Sequence, residues 1–443
     1  MTELKQYRIS AKSAAELVSS IEEGVAGGRL LPGERLPSVR RLAADVGLSP
    51  VTVAAGLAEL RRRGVVLTEP RRGTRIGQGA PIGSLRRPLP VPPGARDLSR
   101  GNPDPALLPD LRRALGRSEL PVRLYGEPPA LAELLDLVRD QLCADGIPGQ
   151  ALCIVGGALD AIERVLAAHL RPGDRVAVEN PGYAALYDLL RALGLTLEPV
   201  RVDDRGMRPD ELGAALARGA CAVVITPRGQ NPTGAALDRT RARELSEVLE
   251  KFPRALVIED DHLGEIAGSP LHTTVGGRER WAATRSVAKA LGPDLRLAAL
   301  AGDPQTVARV QGRQQCGPGW VSHILQTIVL GLSTDPAVQA QTARAAATYS
   351  ERRERLLARL ACRGVEAHGA SGLNVWVPVD DEAGTVGALM QRGWVVAAGQ
   401  PYRLAGSPSA VRVTTATLLA DEAERLASDL ADVLAPAGFS RSG

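Results

Sequence analysis

Apolar positions recurring every three or four residues dominate the first sixty residues. Leu17, Ile21 and Val25 stand four apart and Gly27-Gly28 ends the stretch, which predicts a helix from Ala14 to Ala26. Ser38 can cap a second helix whose Val39, Leu42, Ala43 and Val46 form one apolar stripe, with Gly47 supplying the turn after it. Ser49 caps a third, with Pro50 at its first position, where the missing N–H has no helical partner to lose. Its apolar face is Val53, Leu57 and Leu60. The VVLT and TRI strands then form a hairpin around Arg71, Arg72 and Gly73. Two short helices across a glycine turn, followed by a hairpin, spell a winged helix-turn-helix.

The pattern changes after Gly77. The stretch GQGAPIGSLRRPLPVPPGARD is rich in Gly, Pro and Arg, has no periodicity, and reads as a semi-rigid linker. Beyond it, helical stretches alternate with short continuous apolar runs, RVAVE (175–179), CAVVIT (221–226), ALVIED (255–260) and RLAALAG (296–302). Such runs suit a parallel sheet covered on both faces. From about Leu330 a long helical region precedes a final α/β segment carrying LNVWVPV, GWVVAAG and AVRVTTATL. The expected organisation is α/β: a DNA-binding domain at 1–77, a linker at 78–97 and a second domain at 98–443. Its large part would span about 130–325, with a mainly parallel central sheet, and a smaller C-terminal α/β part about 330–443.

Composition narrows the class. The 443 residues are 44% hydrophobic and 23% charged, as in soluble globular proteins. No apolar run approaches the ~20 residues that span a bilayer, and the polar start MTELKQYRISAK has no signal-peptide core. The expectation is a cytoplasmic protein with no membrane partner. Five scattered cysteines, with no paired spacing for zinc or a disulfide scaffold, are expected to be reduced and mostly buried, with no metal site. Net charge is +4, but its distribution is uneven: the first 87 residues hold fifteen Lys/Arg against eight Asp/Glu. A basic segment on a slightly acidic body is the footprint of a nucleic-acid-binding module, or else a solvated surface in an arginine-biased chain.

The strongest chemical signal is RSVAKALGPDLRLA. Lys289 follows an apolar strand, three residues after Ser286 and seven before Arg296. A lysine so placed can form a Schiff base with a phosphorylated aldehyde while hydroxyl and guanidinium grip the phosphate. Taken by itself it reads better as a surface lysine before a proline turn, and it is the rest of the constellation that overturns that reading. Asn231 lies in an Asn-Pro-Thr-Gly turn after CAVVIT, either a plain loop or a ligand contact at a strand's carboxyl end. Asp260 and Asp261 end another run, where one carboxylate could pair with a protonated pyridine nitrogen or the two could cap a helix. Gly157 and Ala158 open a helix whose N–H groups suit a phosphate.

Together and in this order these segments resemble the class I/II aminotransferases of the fold-type I pyridoxal-phosphate (PLP) family. Behind GRLLPGERLPSVRRLAADVGLSPVTV, which is similar to a GntR-type winged helix, they resemble the MocR-like regulators. The resemblance implies PLP as cofactor, Lys289 as the Schiff-base lysine, Asp260 at the pyridine nitrogen, Asn231 at the phenolic oxygen and Tyr183 stacked on the ring. It places Gly157, Ala158, Ser286 and Arg296 on the phosphate, Tyr125 on the phosphate of the second subunit of a homodimer, and Arg412 on a substrate α-carboxylate. The family's tyrosine two residues after the aspartate is His262 here. Its N–H can still donate to the phenolic oxygen, with a charge that would vary near neutral pH. The usual serine before the lysine is Ala288, which removes one phosphate hydroxyl.

On the DNA side the resemblance points to Arg40 on the operator, with Ser38, Ser49 and Thr52 as phosphate or base contacts and Arg71, Arg72 and Gly73 on the wing. Positions often basic in the family are Pro50 and Ala54. Arg61, Arg62 and Arg63 serve equally as phosphate contacts or a solvated helix end. Three functions fit. PLP or its adduct with an amino acid or amine is an effector of a transcriptional regulator; the chain is a working aminotransferase carrying a DNA-binding domain; or the second domain only dimerises the first.

Overall fold

The computed structural model describes residues 9–27, 29–31, 33–62, 65–69, 73–77, 90–116 and 122–435. Arg63, Arg71, Arg72 and most of the expected linker lie outside them. The chain divides into two compact units, Met1–Arg87 with the short segments Leu170–Arg175 and Asp188–Leu197, and the remainder. Among the described residues no single helix is long and apolar enough to cross a membrane.

In the first unit, helices Ala14–Ala26, Val39–Val46 and Pro50–Arg62 form where the periodicity puts them. Ser38 accepts from the Arg41 N–H and Ser49 from the Thr52 N–H, so each serine satisfies an otherwise unpaired donor at a helix start. Gly47 turns the chain at φ 75°, a left-handed conformation that glycine adopts without strain. Leu17, Ile21, Leu42, Val53, Leu57 and Leu60 close a core over the hairpin Val66–Glu69 and Gly73–Ile76. The hairpin is antiparallel, with Val66 opposite Ile76.

The second unit is built on an eight-stranded sheet in the order Leu152–Val155, Ala298–Gly302, Trp281–Ser286, Leu256–Asp261, Ala220–Ile225, Arg175–Asn180, Thr196–Asp203, Gly206–Met207. Leu256–Asp261 runs parallel to both its neighbours, and every residue in it is buried. The run 296–302 departs from the parallel expectation: Ala298–Gly302 pairs antiparallel with both Trp281–Ser286 and Leu152–Val155. An apolar run reports burial on two faces but carries no direction. Arg296 also falls outside that strand, in a left-handed turn at φ 45°.

The smaller part follows the helix Pro336–Ala361 and packs the antiparallel strands Asn374–Pro378, Ala410–Thr414 and Ala397–Ala398 against Ala420–Leu434 and Glu382–Gln391. It also recruits residues expected in the linker. Arg96–Asp97 pairs with Trp394–Val395, the Arg96 guanidinium lies 2.7 Å from Glu422, and Leu98 is buried among Val375, Val411 and Leu426. The linker therefore ends before Arg96. The cysteines depart from expectation too: all five are free, but Cys143, Cys316 and Cys362 are exposed, and only Cys153 is fully buried.

Candidate functional site

The carboxyl ends of the parallel strands converge with the segment 99–101 and the smaller sheet. Adjacent side chains on a strand point to opposite faces, and this separates the two aspartates. Asp261 accepts from Arg228 Nε at 2.9 Å and Nη2 at 2.8 Å, and from Arg285 Nε at 2.9 Å. Burial opposes its charge, but the two guanidiniums outweigh it and hold the carboxyl below its ordinary range. Asp260 faces the other way. Its Oδ1 is buried with no hydrogen-bond partner among the described residues, as is Oγ1 of Thr284, its neighbour in register. Burial first, then the charges of Asp261 and Glu179, push Asp260 up to about 7.

Lys289 stands on the short helix Ala288–Leu291 just past the strand Trp281–Ser286 and donates to the Gly101 carbonyl at 2.6 Å. Burial and the nearby Arg412 charge push it down to about 8, which raises the fraction of free amine near neutrality. Half-buried His262 is pushed down to about 4, first by desolvation and then by Lys289. The imidazole is therefore neutral at neutral pH, which corrects the expectation of a charge varying there. Arg412 donates to Asn231 Oδ1 at 2.9 Å and to the Ser99 carbonyl, and its guanidinium lies 4.8 Å from the Tyr402 ring centroid. Burial first, then the charge of Asp260, raises the Tyr183 phenol above its ordinary range.

The other end of the site is shaped for an anion. Gly157 turns at φ 113° into the helix Ala158–His169, and a Cβ there would meet Arg296 Nη2 at 3.1 Å. Arg296 reaches the Gly156 carbonyl at 3.4 Å, so its guanidinium caps the glycine turn, and Ser286 Oγ accepts from the Ala288 N–H at 3.2 Å. A glycine turn at a helix N-terminus with an arginine over it suits a phosphate. Tyr125 is not part of this cluster; it is 92% exposed, edge-on to Trp320 with ring centroids 5.5 Å apart.

The structure thus gathers Lys289, Asp260, Asn231, Tyr183, His262 and Arg412 around one end and Gly157, Ala158, Ser286 and Arg296 at the other. Sequence reading missed Ser99 and Gly101, whose carbonyls hold Arg412 and Lys289. It also missed Glu179, which is fully buried, accepts from Thr226 and Gln230, and is pushed up to about 7 by burial. Nothing in ENPGYAAL marked that glutamate, since only its burial makes it unusual. The residues fit PLP: an unpartnered buried carboxylate awaits a cationic ring nitrogen, a depressed lysine stands beside it, and an anion cradle closes the far end. Bound there, PLP supplies an aldehyde for the lysine and an electron sink.

In the winged helix, Ser38, Arg40 and Ser49 are exposed and Thr52 is half-buried, its hydroxyl 2.8 Å from that of Ser49. Gly73 turns at φ 82°, and a Cβ there would meet Arg35 Nε at 3.2 Å, while the Arg35 backbone bridges to Arg75, so Arg35 lies along the wing strand Gly73–Ile76.

Fold and site together define a DNA-binding regulator whose second unit is built as a PLP protein. The family model Aminotransferase class I and II matches residues 96–430, and Bacterial regulatory proteins, gntR family, matches residues 13–76. The chain belongs to the aminotransferase class I and II family, as a MocR-like transcriptional regulator with a gntR-type head, and its cofactor is PLP. It is 38% identical to the vitamin B6 salvage pathway transcriptional repressor PtsJ of Salmonella typhimurium, over 96% of this chain and 99% of that one. It is 30% identical to the HTH-type transcriptional regulator TauR of Rhodobacter capsulatus, over 80% of each chain. Among solved structures, the Pyrococcus horikoshii kynurenine aminotransferase shares the fold at a TM-score of 0.70 and 21% identity, covering 77% of this chain and 91% of that one.

The orphaned Asp260 makes a pH prediction. Its carboxyl titrates near 3.8 unfolded and about 7 folded. The folded state therefore holds the extra proton between those values, and Asp260's stabilising contribution, full below 3.8, is lost as pH rises through about 7. Asp260→Asn removes this titration. Melting cofactor-free wild type and variant at pH 5 and pH 8 is expected to show the variant gaining on wild type at the higher pH; a constant difference would mean that Asp260 has a counter-charge.

Proposed function

We propose that PLP, or its adduct with an amino acid or amine, is the effector that sets this regulator's affinity for double-stranded operator DNA. The observation that carries the reading is the pairing in one chain of a winged helix with a lysine site in which Asp260 Oδ1 is buried without a hydrogen-bond partner among the described residues. Support comes from the relative named for vitamin B6 salvage, which matches along nearly its whole length. In this reading Lys289 forms the covalent link, Asp260 meets the ring nitrogen, Asn231 and His262 lie at the phenolic oxygen, and Tyr183 stacks on the ring. Gly157, Ala158, Ser286 and Arg296 hold the phosphate, and Arg412 takes the carboxylate of an amino acid effector. Exposed Tyr125 serves the phosphate of a second copy in a homodimer, whose two heads engage paired half-sites. The head spans 1–77 and the PLP domain begins with the strand at Arg96.

An equilibrium shifts only by the difference in ligand binding between its two states. PLP is therefore expected to change operator affinity by roughly 5–150-fold, and operator DNA to change apparent PLP affinity by the same factor. Operator titrations with and without PLP measure the first, and Arg40→Ala in the same assay should weaken DNA binding without altering covalent PLP attachment. Arg412 beside Asn231 also suits an aminotransferase. If operator affinity ignores PLP and every amino compound while transamination runs at an ordinary enzymatic rate, the enzyme reading replaces the sensor.

A further inference from the structure

The helix Pro50–Arg62 turns Val53, Leu57 and Leu60 into the core, and Gly56 packs so closely that a Cβ would meet Leu17 Cδ2 at 3.0 Å. Its opposite face carries Val51, Ala54, Ala55 and Ala58, spaced three and four apart so that they form one stripe. Val51 is 80% exposed, Ala54 and Ala55 are exposed and Ala58 is half-buried. No side chain in this stripe can donate or accept a hydrogen bond. The one hydroxyl in the first turn, that of Thr52, lies off the stripe and is already 2.8 Å from Ser49 Oγ.

Exposed Arg40 and Arg41 stand in the first turn of the preceding helix, Val39–Val46, and exposed Arg61 lies near the C-terminal end of this one, so exposed cations lie on either side of the apolar stripe along the chain. That arrangement complements a duplex, with phosphates at the rims and base edges between them. In the major groove the apolar feature available is the 5-methyl group of thymine, while cytosine offers an amino group that an alkyl stripe leaves without an acceptor. From position 51 to 58 the helix rises about 10 Å, the length of roughly three base pairs. Alanines also keep the helix surface low, so its backbone can approach the groove floor.

Resting on the DNA-binding reading above, we infer that this regulator recognises its half-sites through thymine methyl groups met by Val51 and the alanine stripe, rather than by hydrogen bonds from the recognition helix. Arginines outside the stripe position the duplex, and the stripe specifies T over C.

The test uses the full-length protein loaded with PLP. Duplexes are enriched from a random-sequence pool, and each thymine of an enriched duplex is then replaced singly by deoxyuridine, which lacks only the methyl group. Adjacent thymines in each half-site are expected to lose about fourfold in affinity per methyl, equivalent to ~0.8 kcal/mol at 1.4 kcal/mol per tenfold. In Val51→Ala, whose fold is preserved because the side chain is exposed, the loss at one of these thymines should vanish. Tolerance of every replacement within about twofold, with the duplex still bound, overturns the inference and leaves the DNA reading standing. An undiminished methyl effect in Val51→Ala overturns the role of Val51. If Val51→Ala instead changes the sedimenting mass and leaves the methyl response intact, the stripe is a protein contact and the inference also fails. Failure to enrich any duplex over competitor DNA removes the DNA-binding reading itself.

Discussion

Lys289→Ala is expected to abolish covalent attachment of the cofactor completely. Among the other lysines, Lys12 is exposed before the first helix, Lys251 is exposed at the end of Arg239–Glu250, and Lys5 lies outside the described residues; none of the three sits in a sequence motif matching that of Lys289. Borohydride reduction followed by intact-protein mass measurement should add one pyridoxyl phosphate to wild type and nothing to the variant. Noncovalent binding through Asp260, Ser286 and Arg296 should persist at higher PLP concentration, because the anion cradle and the orphaned carboxylate do not depend on the lysine. The DNA response separates the roles. Basal operator affinity should stay within about twofold of wild type, since the head is untouched, while the expected 5–150-fold PLP effect contracts toward none. A trapped adduct in Lys289→Ala would reassign the lysine, and an intact PLP response without the adduct would make noncovalent PLP the effector.

The second large effect concerns the buried pair under the site. Arg228 is 6% exposed and Asp261 2%, and they meet through two parallel hydrogen bonds. Arg285 extends the group to Asp145, and Arg228 also donates to the Ser269 carbonyl at 3.2 Å. Arg228→Ala leaves Asp261 charged in the interior with half its compensation, and loss of one partner of a buried pair costs about 3–5 kcal/mol. Urea unfolding followed in the PLP domain should show a drop of that size. Arg228→Lys should recover only part of it, because an ammonium cannot supply the two parallel donors. By contrast, Arg243→Ala removes a pair with Glu247 that is 72% and 63% exposed, and should change stability by less than about 0.5 kcal/mol. A loss below about 1 kcal/mol for Arg228→Ala would mean that the site relaxes or admits water. Because Asp261 adjoins Asp260, the variant should also weaken PLP binding, and comparing cofactor-free and loaded proteins separates the two effects.

Local chemistry decided much of this protein before any tertiary contact is considered. The three helices and hairpin of the head follow from spacing, caps and a glycine turn, because those signals act within a few residues. Lys289 stood out because its neighbours Ser286 and Arg296 lie at fixed short offsets in the chain, and the order of segments sufficed for the family. The family resemblance pointed to Asp260 over Asp261, but only the tertiary structure supplies the physical difference between them. The two are the same residue type, and only the pleat and the arginines on one face make one a satisfied ion and the other an orphan. It also reversed the strand Ala298–Gly302, since apolar runs encode burial and not direction. It drew Arg96–Asp97 out of the linker, exposed three cysteines, neutralised His262 by enclosure, and set the carbonyls of Ser99 and Gly101 on Arg412 and Lys289. Each of these depends on which distant segments share a neighbourhood. Desolvation and pairing are sums over that neighbourhood, whereas helix periods, caps and turns are properties of the chain a few residues at a time.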